Sequence, residues 1–356
     1  MKFGIAIPTD SDSWRLVRRA EELGFHHAWF YDTQMLSADC FVAMAACAMK
    51  TTRIRLGTGV LIPSNRIAPV AAAAFASLNK LAPGRIDFGI STGFTGRRAM
   101  GMPAVKLSDM AEYIRVVQAL WAGDTVETVL EGQKRLIGFL NPELGLINVK
   151  DEMPLYIAAS GPRARALTAR LGAGWIDGAA SVDRAMASLG VMREAWASAG
   201  QPANDLNAVA WAGGAVLAEG EPADSPRAIA QAGPRTMTLL HRSADAALGG
   251  YPDPAPLPAQ FMPAVEGYVE HARSFRPQGA HYLQNHRGHL MFVRPDERPF
   301  LSADLIEWAT WTATEKKLKA RVGALADGGF SQIVFSILPG QEHAIEDWGR
   351  IRAAFD

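Results

Sequence analysis

The sequence of 356 residues predicts an α/β fold, a (β/α)8 TIM barrel with insertions that forms one domain over residues 1–356. Short apolar or β-branched segments alternate with longer helical patterns along most of the chain. Eight strands can be counted, and strand–helix alternation requires parallel strands joined by right-handed crossovers. Small residues follow several strands, where a barrel carries its ligand-binding loops.

Each predicted strand is a short apolar segment bounded by turn residues. The strands span about residues 3–8, 26–31, 53–61, 85–91, 154–159, 174–179, 207–217 and 330–338. Helices are predicted at 13–23, 39–49, 67–81, 107–121, 162–171, 182–199, 303–311, 314–326 and 343–355, with further helix up to about residue 248. Asp39 is placed to cap the second helix, and Pro83-Gly84 stops the third.

Two segments interrupt this alternation. Residues 123–152 combine short extended pieces with repeated glycines, which predicts a hairpin. Residues 249–299 are rich in Pro and His and are predicted to be a long insertion. A doubly wound open sheet is the main alternative fold. It is disfavoured because Asp10-Ser11-Asp12, rather than a glycine-rich dinucleotide fingerprint, follows the first strand.

Composition restricts the partners and the compartment. Lys plus Arg and Asp plus Glu both number 36, so net charge gives no reason to expect nucleic acid or an anionic membrane as partner. No apolar run reaches membrane-spanning length, and Met1-Lys2 leads directly into a strand pattern. Cys40 and Cys47 are expected to be reduced core residues. We therefore expect a cytoplasmic protein.

The stretch from Gly84 to Gly96 is the centre of the predicted site. Its first half has the pattern of a buried strand, whereas its second half is small and polar, as it must be where a ligand approaches the backbone. Gly57 and Gly59 lie inside the preceding strand. They indicate either a close backbone approach or glycines that pack against a bulky neighbour.

A second candidate region surrounds Pro162, which occupies the first position of a predicted helix. The free N–H groups of that helix start make an anion site, and Arg163 and Arg165 add positive charge. A simple helix cap with surface arginines is the alternative. Asp32 ends the second strand, where it is placed either to contact a ligand or to cap a helix.

Three histidines, His281, His286 and His289, cluster in the long insertion. No cysteine lies nearby and no His-x-His occurs on the first strand, so we predict no metal site. A histidine that contacts substrate and a solvated loop histidine are the remaining interpretations. The sequence also lacks a Gly-x-Ser-x-Gly elbow, a Walker loop and a lysine on the sixth strand.

With these pieces in place, the chain resembles the bacterial luciferase-like superfamily of flavin- and deazaflavin-dependent oxidoreductases. The likeness covers roughly residues 1–200 and, more loosely, 300–356. Four stretches carry it, and only together are they specific. They are residues 78–93 (LNKLAPGRIDFGISTG), 119–124 (ALWAGD), 156–163 (YIAASGPR) and 171–175 (LGAGW).

The resemblance implies an eight-stranded barrel, often dimeric, with a flavin at the carboxyl ends of the strands. It places a non-prolyl cis peptide at Gly59-Val60, behind the flavin ring. Apart from the resemblance, which gives little to align over residues 249–299, the chain's own residues lead us to expect Phe94 and His289 in the substrate pocket with a catalytic role. The residues expected to bind the cofactor are Asp32, Gly59, Val60, Thr92, Gly93, Ala159, Ser160, Gly161, Arg163, Asp177 and Gly178.

Two departures from relatives bear on the substrate. Deazaflavin-dependent sugar dehydrogenases carry a glutamate where this chain has Phe94, and many relatives carry a histidine where it has Thr33. Both departures disfavour sugar-phosphate oxidation. Phe94 and Trp29 suggest a small apolar or aromatic organic substrate.

The first functional hypothesis is a monooxygenase that uses reduced FMN, supplied by a separate flavin reductase, and forms a homodimer. The alternative is a deazaflavin-dependent enzyme that transfers hydride. The Pro-Gly-Arg sequence before the fourth strand favours the deazaflavin, and the missing glutamate favours FMN. A non-catalytic flavin-binding protein and a barrel lyase or aldolase are hypotheses of other classes.

Overall fold

The computed structural model describes residues 1–252 and 256–356. Its strands are β1 (Lys2–Ile7), β2 (His27–Phe30), β3 (Arg55–Thr58), β4 (Ile86–Ile90), β5 (Val126–Leu130), β6 (Gln133–Ile137), β7 (Leu155–Ala158), β8 (Gly174–Gly178), β9 (Ala208–Ala212), β10 (Val216–Leu217), β11 (Ala313–Thr314) and β12 (Gln332–Ser336). Its α-helices are α1 (Trp14–Glu22), α2 (Cys40–Ala48), α3 (Ala68–Leu81), α4 (Thr95–Arg98), α5 (Leu107–Trp121), α6 (Pro162–Arg170), α7 (Val182–Ser198), α8 (Pro226–Gly249), α9 (Met262–Ala272), α10 (Tyr282–Asn285), α11 (Ala303–Ala309), α12 (Glu315–Gly328) and α13 (Ala344–Arg352).

Eight parallel strands close into a barrel in the order β1-β2-β3-β4-β7-β8-β9-β12, and β12 pairs back with β1. These are the eight strands that the sequence predicts, so the (β/α)8 TIM barrel is confirmed. The predicted cap is present as well, because the Asp39 carboxylate accepts from the backbone N–H groups of Phe41 and Val42 at the start of α2.

The predicted strand at 207–217 is two strands in the structure. The barrel strand β9 ends at Ala212, and β10 pairs with β11 in a separate two-stranded sheet. The break falls at Gly213-Gly214, where the chain passes close to another backbone. A Cβ at Gly214 would lie 2.5 Å from the carbonyl carbon of Trp311. A side chain cannot be accommodated there, which explains the glycine at this corner.

Both interrupting segments contain structure of their own. Residues 123–152 include the antiparallel hairpin of β5 and β6, as predicted. Residues 249–299 include α9 and α10, and apolar side chains of this segment pack with those of α8 in one buried cluster. Residues 253–255 of the segment lie outside the described residues. The description of the whole chain as a single domain with two insertions stays a prediction.

The structure also bears on membranes and cysteines. None of the helices within residues 1–252 and 256–356 combines the length and the apolar character that a membrane span requires. Cys40 and Cys47 are buried free thiols on α2. Burial raises the pKa of the Cys47 thiol to about 12, so it is protonated at neutral pH and packs as an apolar side chain.

The indole of Trp29 on β2 is fully buried in the barrel interior, in an apolar cluster that also contains Tyr156 and Val209. Its neighbours are glycines for a steric reason, since a Cβ at Gly57 would lie 2.7 Å from the Trp29 ring and one at Gly59 would lie 2.8 Å from its Cβ. Tyr156 packs edge-on against the indole from below, with ring centroids 5.1 Å apart. The size of the Trp29 indole therefore explains the glycines at the neighbouring positions of β3 and just after it.

We expect Gly57→Ala to lower the free energy of unfolding by roughly 1–3 kcal/mol, because the new methyl group collides with the Trp29 ring in a filled interior. Urea unfolding followed by tryptophan fluorescence measures this loss. Gly190→Ala on α7 is the matched control, since nothing lies within 4 Å of its Cβ position. Equal stability of the two variants would contradict the steric account.

Candidate functional site

The main cavity lies at the carboxyl ends of the barrel strands and has a volume of about 540 Å³. That volume is within the range of small-molecule sites, roughly 300–1,000 Å³. Residues that follow β2, β3, β4, β7 and β8 form one side of it, and residues from α8 and the long insertion form the other. A TIM barrel carries its active site at this end.

The structure brings most of the predicted site residues together. Those that line the cavity are Asp32, Gly59, Val60, Gly93, Phe94, Ala159, Ser160, Asp177, Gly178 and His289. Thr92, Gly161 and Arg163 are predicted site residues that do not line it. Thr92 and Gly161 are the immediate neighbours of lining residues. Gly161 is exposed and caps α6, with no side chain bonded to that helix start.

Arg163 is placed away from the cavity. It lines a separate surface groove together with Leu107 and Ser108 of α5. Side chains two positions apart on a helix point in different directions, and it is Arg165 that turns toward the barrel, 3.5 Å from the Asp177 carboxylate. The helical direction of α6 therefore separates the two arginines that the sequence treats as a pair.

The loop after β3 presents bare backbone to the cavity. The Gly59-Val60 peptide bond is cis, as the resemblance implies. A Cβ at Gly59 would lie 2.6 Å from the Trp211 ring. Trp211 and Tyr31 also line the cavity, with ring centroids 6.4 Å apart. Backbone at Gly59-Val60 and the aromatic rings of Tyr31 and Trp211 thus form one wall of the cavity.

Asp32 is buried and fully engaged by neighbours. One carboxylate oxygen accepts from Arg66 at 2.9 Å, and the other accepts from the backbone N–H of Ile62 at 3.0 Å. Arg66 also pairs with Asp39. Through these bonds to Ile62 and Arg66, the Asp32 carboxylate links the end of β2 to the loop that follows the cis peptide bond.

Asp177 is held in a similar way at the end of β8. Its carboxylate accepts from the Ser188 hydroxyl and from the backbone N–H of Gly178, the latter at 2.9 Å. Burial raises the pKa of Asp177, whereas the bond from Ser188 and the charge of Arg165 act in the opposite direction. These contacts fix the backbone at Gly178, where a Cβ would lie 3.2 Å from the Arg235 guanidinium.

A face of α8 supplies cavity residues that the sequence did not single out. Arg235, Thr238, Leu239 and Arg242 all line the cavity. Their spacing of three, four and seven residues is that of one helical face, so this signal was available in the sequence.

Arg235 carries an unpaired charge. Within the described part of the chain, its guanidinium has no hydrogen-bond acceptor and no ion-pair partner, although the side chain is half-buried. Burial is the main cause that lowers its pKa, but an arginine remains charged at neutral pH. The half-buried side chain of Arg235 lines the cavity, so this cation without an acceptor is placed to bind an anion.

Phe94 lies at the cavity entrance between two more arginines. The guanidinium carbons of Arg98 and Arg242 are each 5.2 Å from the centroid of its ring. The ring is 38% exposed, which leaves it free to contact a ligand. The entrance therefore combines an aromatic surface with positive charge.

Of the three clustered histidines, His289 faces the cavity, and its Nε2 lies 3.3 Å from the Thr95 hydroxyl. His286 is buried beside it and contacts the Asp245 carboxylate at 3.1 Å. His281 does not line the cavity. Among the described residues, no group of three or more His, Cys, Asp or Glu side chains is arranged to hold a metal ion.

Comparison with known proteins places this site in context. A family model described as luciferase-like monooxygenase matches residues 1–299. The chain is similar to the F420-dependent glucose-6-phosphate dehydrogenase of Beutenbergia cavernae, with 34% identity over 178 residues, which cover 42% of this chain and 51% of that protein. It is also similar to the 5,10-methylenetetrahydromethanopterin reductase of Archaeoglobus fulgidus, with 29% identity over 212 residues, 55% of this chain and 61% of that protein. The chain spans about half the length of the curated relatives it matches.

Solved structures show the same architecture. The F420-dependent tetrahydromethanopterin reductase of Methanopyrus kandleri superposes with a TM-score of 0.69, over 100% of this chain and 99% of that chain. The two sequences are 20% identical, so this similarity concerns the fold alone. It agrees with the closed barrel described above.

We expect Asp32→Asn to destabilise the protein by about 3 kcal/mol, because an amide cannot balance the buried Arg66 charge that the carboxylate now pairs. Urea unfolding measures the change. Glu127→Gln is the control, since Glu127 pairs with Lys134 on the surface and such pairs contribute little. A loss no larger than that of the control would show that Asp32 does not anchor the loop.

Arg235→Met should have the opposite effect and raise the melting temperature by roughly 2–4 °C in the absence of ligand, because it removes a charge without a partner. Inorganic phosphate should stabilise the parent more than sodium chloride of equal ionic strength does, and this difference should disappear in the variant. Arg184→Met is the control, since Arg184 lines the same cavity but donates to the Trp308 carbonyl at 3.2 Å. A fall in melting temperature for Arg235→Met would contradict the assignment of an unpaired charge.

Proposed function

Because the chain belongs to the luciferase-like monooxygenase family, we propose that it is an oxidoreductase that binds the deazaflavin coenzyme F420 and transfers hydride to or from a small organic substrate. One observation carries this proposal. The cavity brings the glycine-rich ends of β3, β4 and β8 and the residues before α6 to one rim of the barrel. Relatives with 29–34% identity are named for F420 or for a reductase of a methanopterin.

These relatives favour the deazaflavin over the reduced FMN that the sequence put first. The description of the family retains the monooxygenase as the second candidate. The open cavity, with cationic and aromatic side chains at its entrance, supports turnover rather than storage of a flavin. A homodimer, a cytoplasmic location and, for the FMN alternative, a separate flavin reductase stay predictions.

The residues present fit a flat coenzyme with an anionic tail. The backbone at Gly59-Val60 and Gly93, which lines the cavity, would lie against the ring. The phosphate would bind at Ser160-Gly161, where the nine-residue helix α6 begins with free N–H groups. Asp177-Gly178 would contact the sugar-alcohol chain between ring and phosphate. When bound, the coenzyme supplies the hydride chemistry, and the protein orients the reactants and excludes water.

The cations on α8 narrow the substrate class. Arg235 and Arg242 face the cavity without an ion-pair partner in the described residues, whereas Phe94, Leu239 and Leu290 provide apolar surface. This combination suits an organic substrate that carries a carboxylate or a phosphate group. The sequence predicts a small apolar or aromatic organic substrate, and these arginines favour one that also carries a negatively charged group.

The proposal is tested by adding F420 to the protein and following quenching of the coenzyme's fluorescence. We expect saturable binding in the micromolar range or tighter, and weaker binding of FMN under the same conditions. Oxidation of alcohols that carry a carboxylate or phosphate should then reduce F420, seen as loss of its visible absorbance. Tight binding of FMN alone, with oxygen consumption, would favour the monooxygenase.

Gly161→Glu should weaken F420 binding by at least tenfold, because it places a negative charge where the phosphate is proposed to bind. The fold should be unaffected, since nothing lies within 4 Å of the Cβ position at Gly161. Gly161→Gln adds the same bulk without the charge and should bind F420 much more tightly than the Glu variant. Equal affinity of the parent and the Glu variant would exclude this phosphate site.

A further inference from the structure

Behind the cavity, a line of buried side chains leads from His289 into the protein. The Nδ1 atoms of His289 and His241 lie 2.7 Å apart, and the Nε2 of His241 lies 2.7 Å from an oxygen of Glu297. Each of these side chains is no more than 1% exposed. His289 alone of the three lines the cavity. The three residues come from α8 and from the segment that follows α10.

The contacts determine where the hydrogens are. Glu297 is a carboxylate, because it accepts from the backbone N–H of Arg294 at 2.9 Å and pairs with the Arg294 guanidinium at 3.1 Å. The Nε2 of His241 must therefore donate to it, which leaves the Nδ1 of a neutral His241 as an acceptor. Because the Nδ1 of His241 accepts, the short contact between the two Nδ1 atoms requires that the Nδ1 of His289 carries a hydrogen and donates it. The Nε2 of His289 then has no hydrogen, and its lone pair points toward the cavity and the Thr95 hydroxyl.

We propose that His289 is the proton acceptor of this site, and that His241 and Glu297 are positioning residues that hold it in the Nδ1–H tautomer. In the oxidative direction, the O–H bond of a substrate hydroxyl breaks and its proton bonds to Nε2 of His289, while the hydride from the adjacent C–H bond would pass to the deazaflavin of the proposed function, leaving a carbonyl group. The resulting charge is shared by a shift of the Nδ1 proton toward His241 and of the Nε2 proton of His241 toward Glu297. The catalytic role rests on the proposed function, whereas the tautomer does not.

The surroundings keep the resting His289 ring uncharged. Burial is the main cause that lowers the pKa of His289 well below its usual value, and the charges of Arg235 and Arg242 act in the same direction. His286 is the ring packed against it, with centroids 4.9 Å apart, and is itself paired with Asp245. A resting His289 is therefore neutral near pH 7, as a general base must be.

The backbone also holds this side chain in place. Leu290, the next residue, has a φ of 60°, a conformation that a leucine adopts only when its surroundings enforce it. The N–H of His289 donates to the carbonyl of His286 at 3.1 Å, which closes the turn. The ring is thus fixed from the backbone side as well as through His241.

The test is the tautomer itself, measured by ¹⁵N–¹H correlation spectra of histidine-labelled protein without coenzyme or substrate. We expect His289 to give the pattern of the Nδ1–H form, which is the minor tautomer of free histidine. Its signals are assigned by their loss in His289→Asn. In Glu297→Gln, which keeps the shape but removes the charge, the Nδ1–H form should fall to a mixture of tautomers.

His241→Asn is a second variant with the same expected effect, should Glu297→Gln not fold. His343→Asn is the control, because this exposed histidine contacts Gln231 and lies outside the cluster, so the His289 signals should not move. An Nε2–H tautomer in the parent, or an unchanged tautomer in both Glu297→Gln and His241→Asn, would overturn the proposal. Failure of F420 to bind would count against the proposed function and would leave these signals unchanged.

Discussion

The architecture of the site depends on one steric constraint, the burial of a tryptophan inside a barrel of eight strands. The Trp29 indole is buried inside the barrel, and the chain beside it can carry no side chain at Gly57, Gly59 and Gly89. A Cβ at Gly89 would even lie 2.1 Å from the carbonyl oxygen of Thr58. The glycines that leave room for the indole thus continue into the loop that lines the cavity. Packing of the core and access to the backbone are achieved by the same residues.

This double use explains why the sequence allowed much of the fold to be predicted. Strands of a closed parallel barrel are buried on both sides, so they are continuous apolar segments, and all eight were located from that pattern. The glycines at the ends of β3 and β4 pointed to the cavity for the same reason. For Gly57 the sequence allowed either a close backbone approach to a ligand or packing against a bulky neighbour. The structure favours packing, because the neighbour is the Trp29 side chain on the adjacent strand β2.

The other half of the cavity could not be predicted in this way. Residues on α8 meet the insertion through contacts between positions 48 and 56 residues apart, as His241 does with His289 and Glu297. No local pattern encodes such a pairing. The spacing of Arg163 and Arg165 on α6 implies that the two side chains point in different directions, but only the structure shows which of them faces the barrel. The sequence does contain the polar face of α8. That face indicates a ligand site only once α8 is known to lie over the carboxyl end of the barrel.

The two halves of the cavity differ in how their charges are balanced. On the strand side, Asp32 and Asp177 each accept from more than one donor, so their charges are satisfied without a ligand. On the α8 side, Arg235 faces the cavity without an acceptor in the described residues. A half-buried cation without an acceptor in the chain is available to pair with a negatively charged group of a ligand. The strand side of the cavity is therefore held rigid by its own ion pairs and hydrogen bonds, whereas α8 offers the cation that can bind a negatively charged ligand. The same helix places His241 in contact with His289, on the side of that ring away from the cavity.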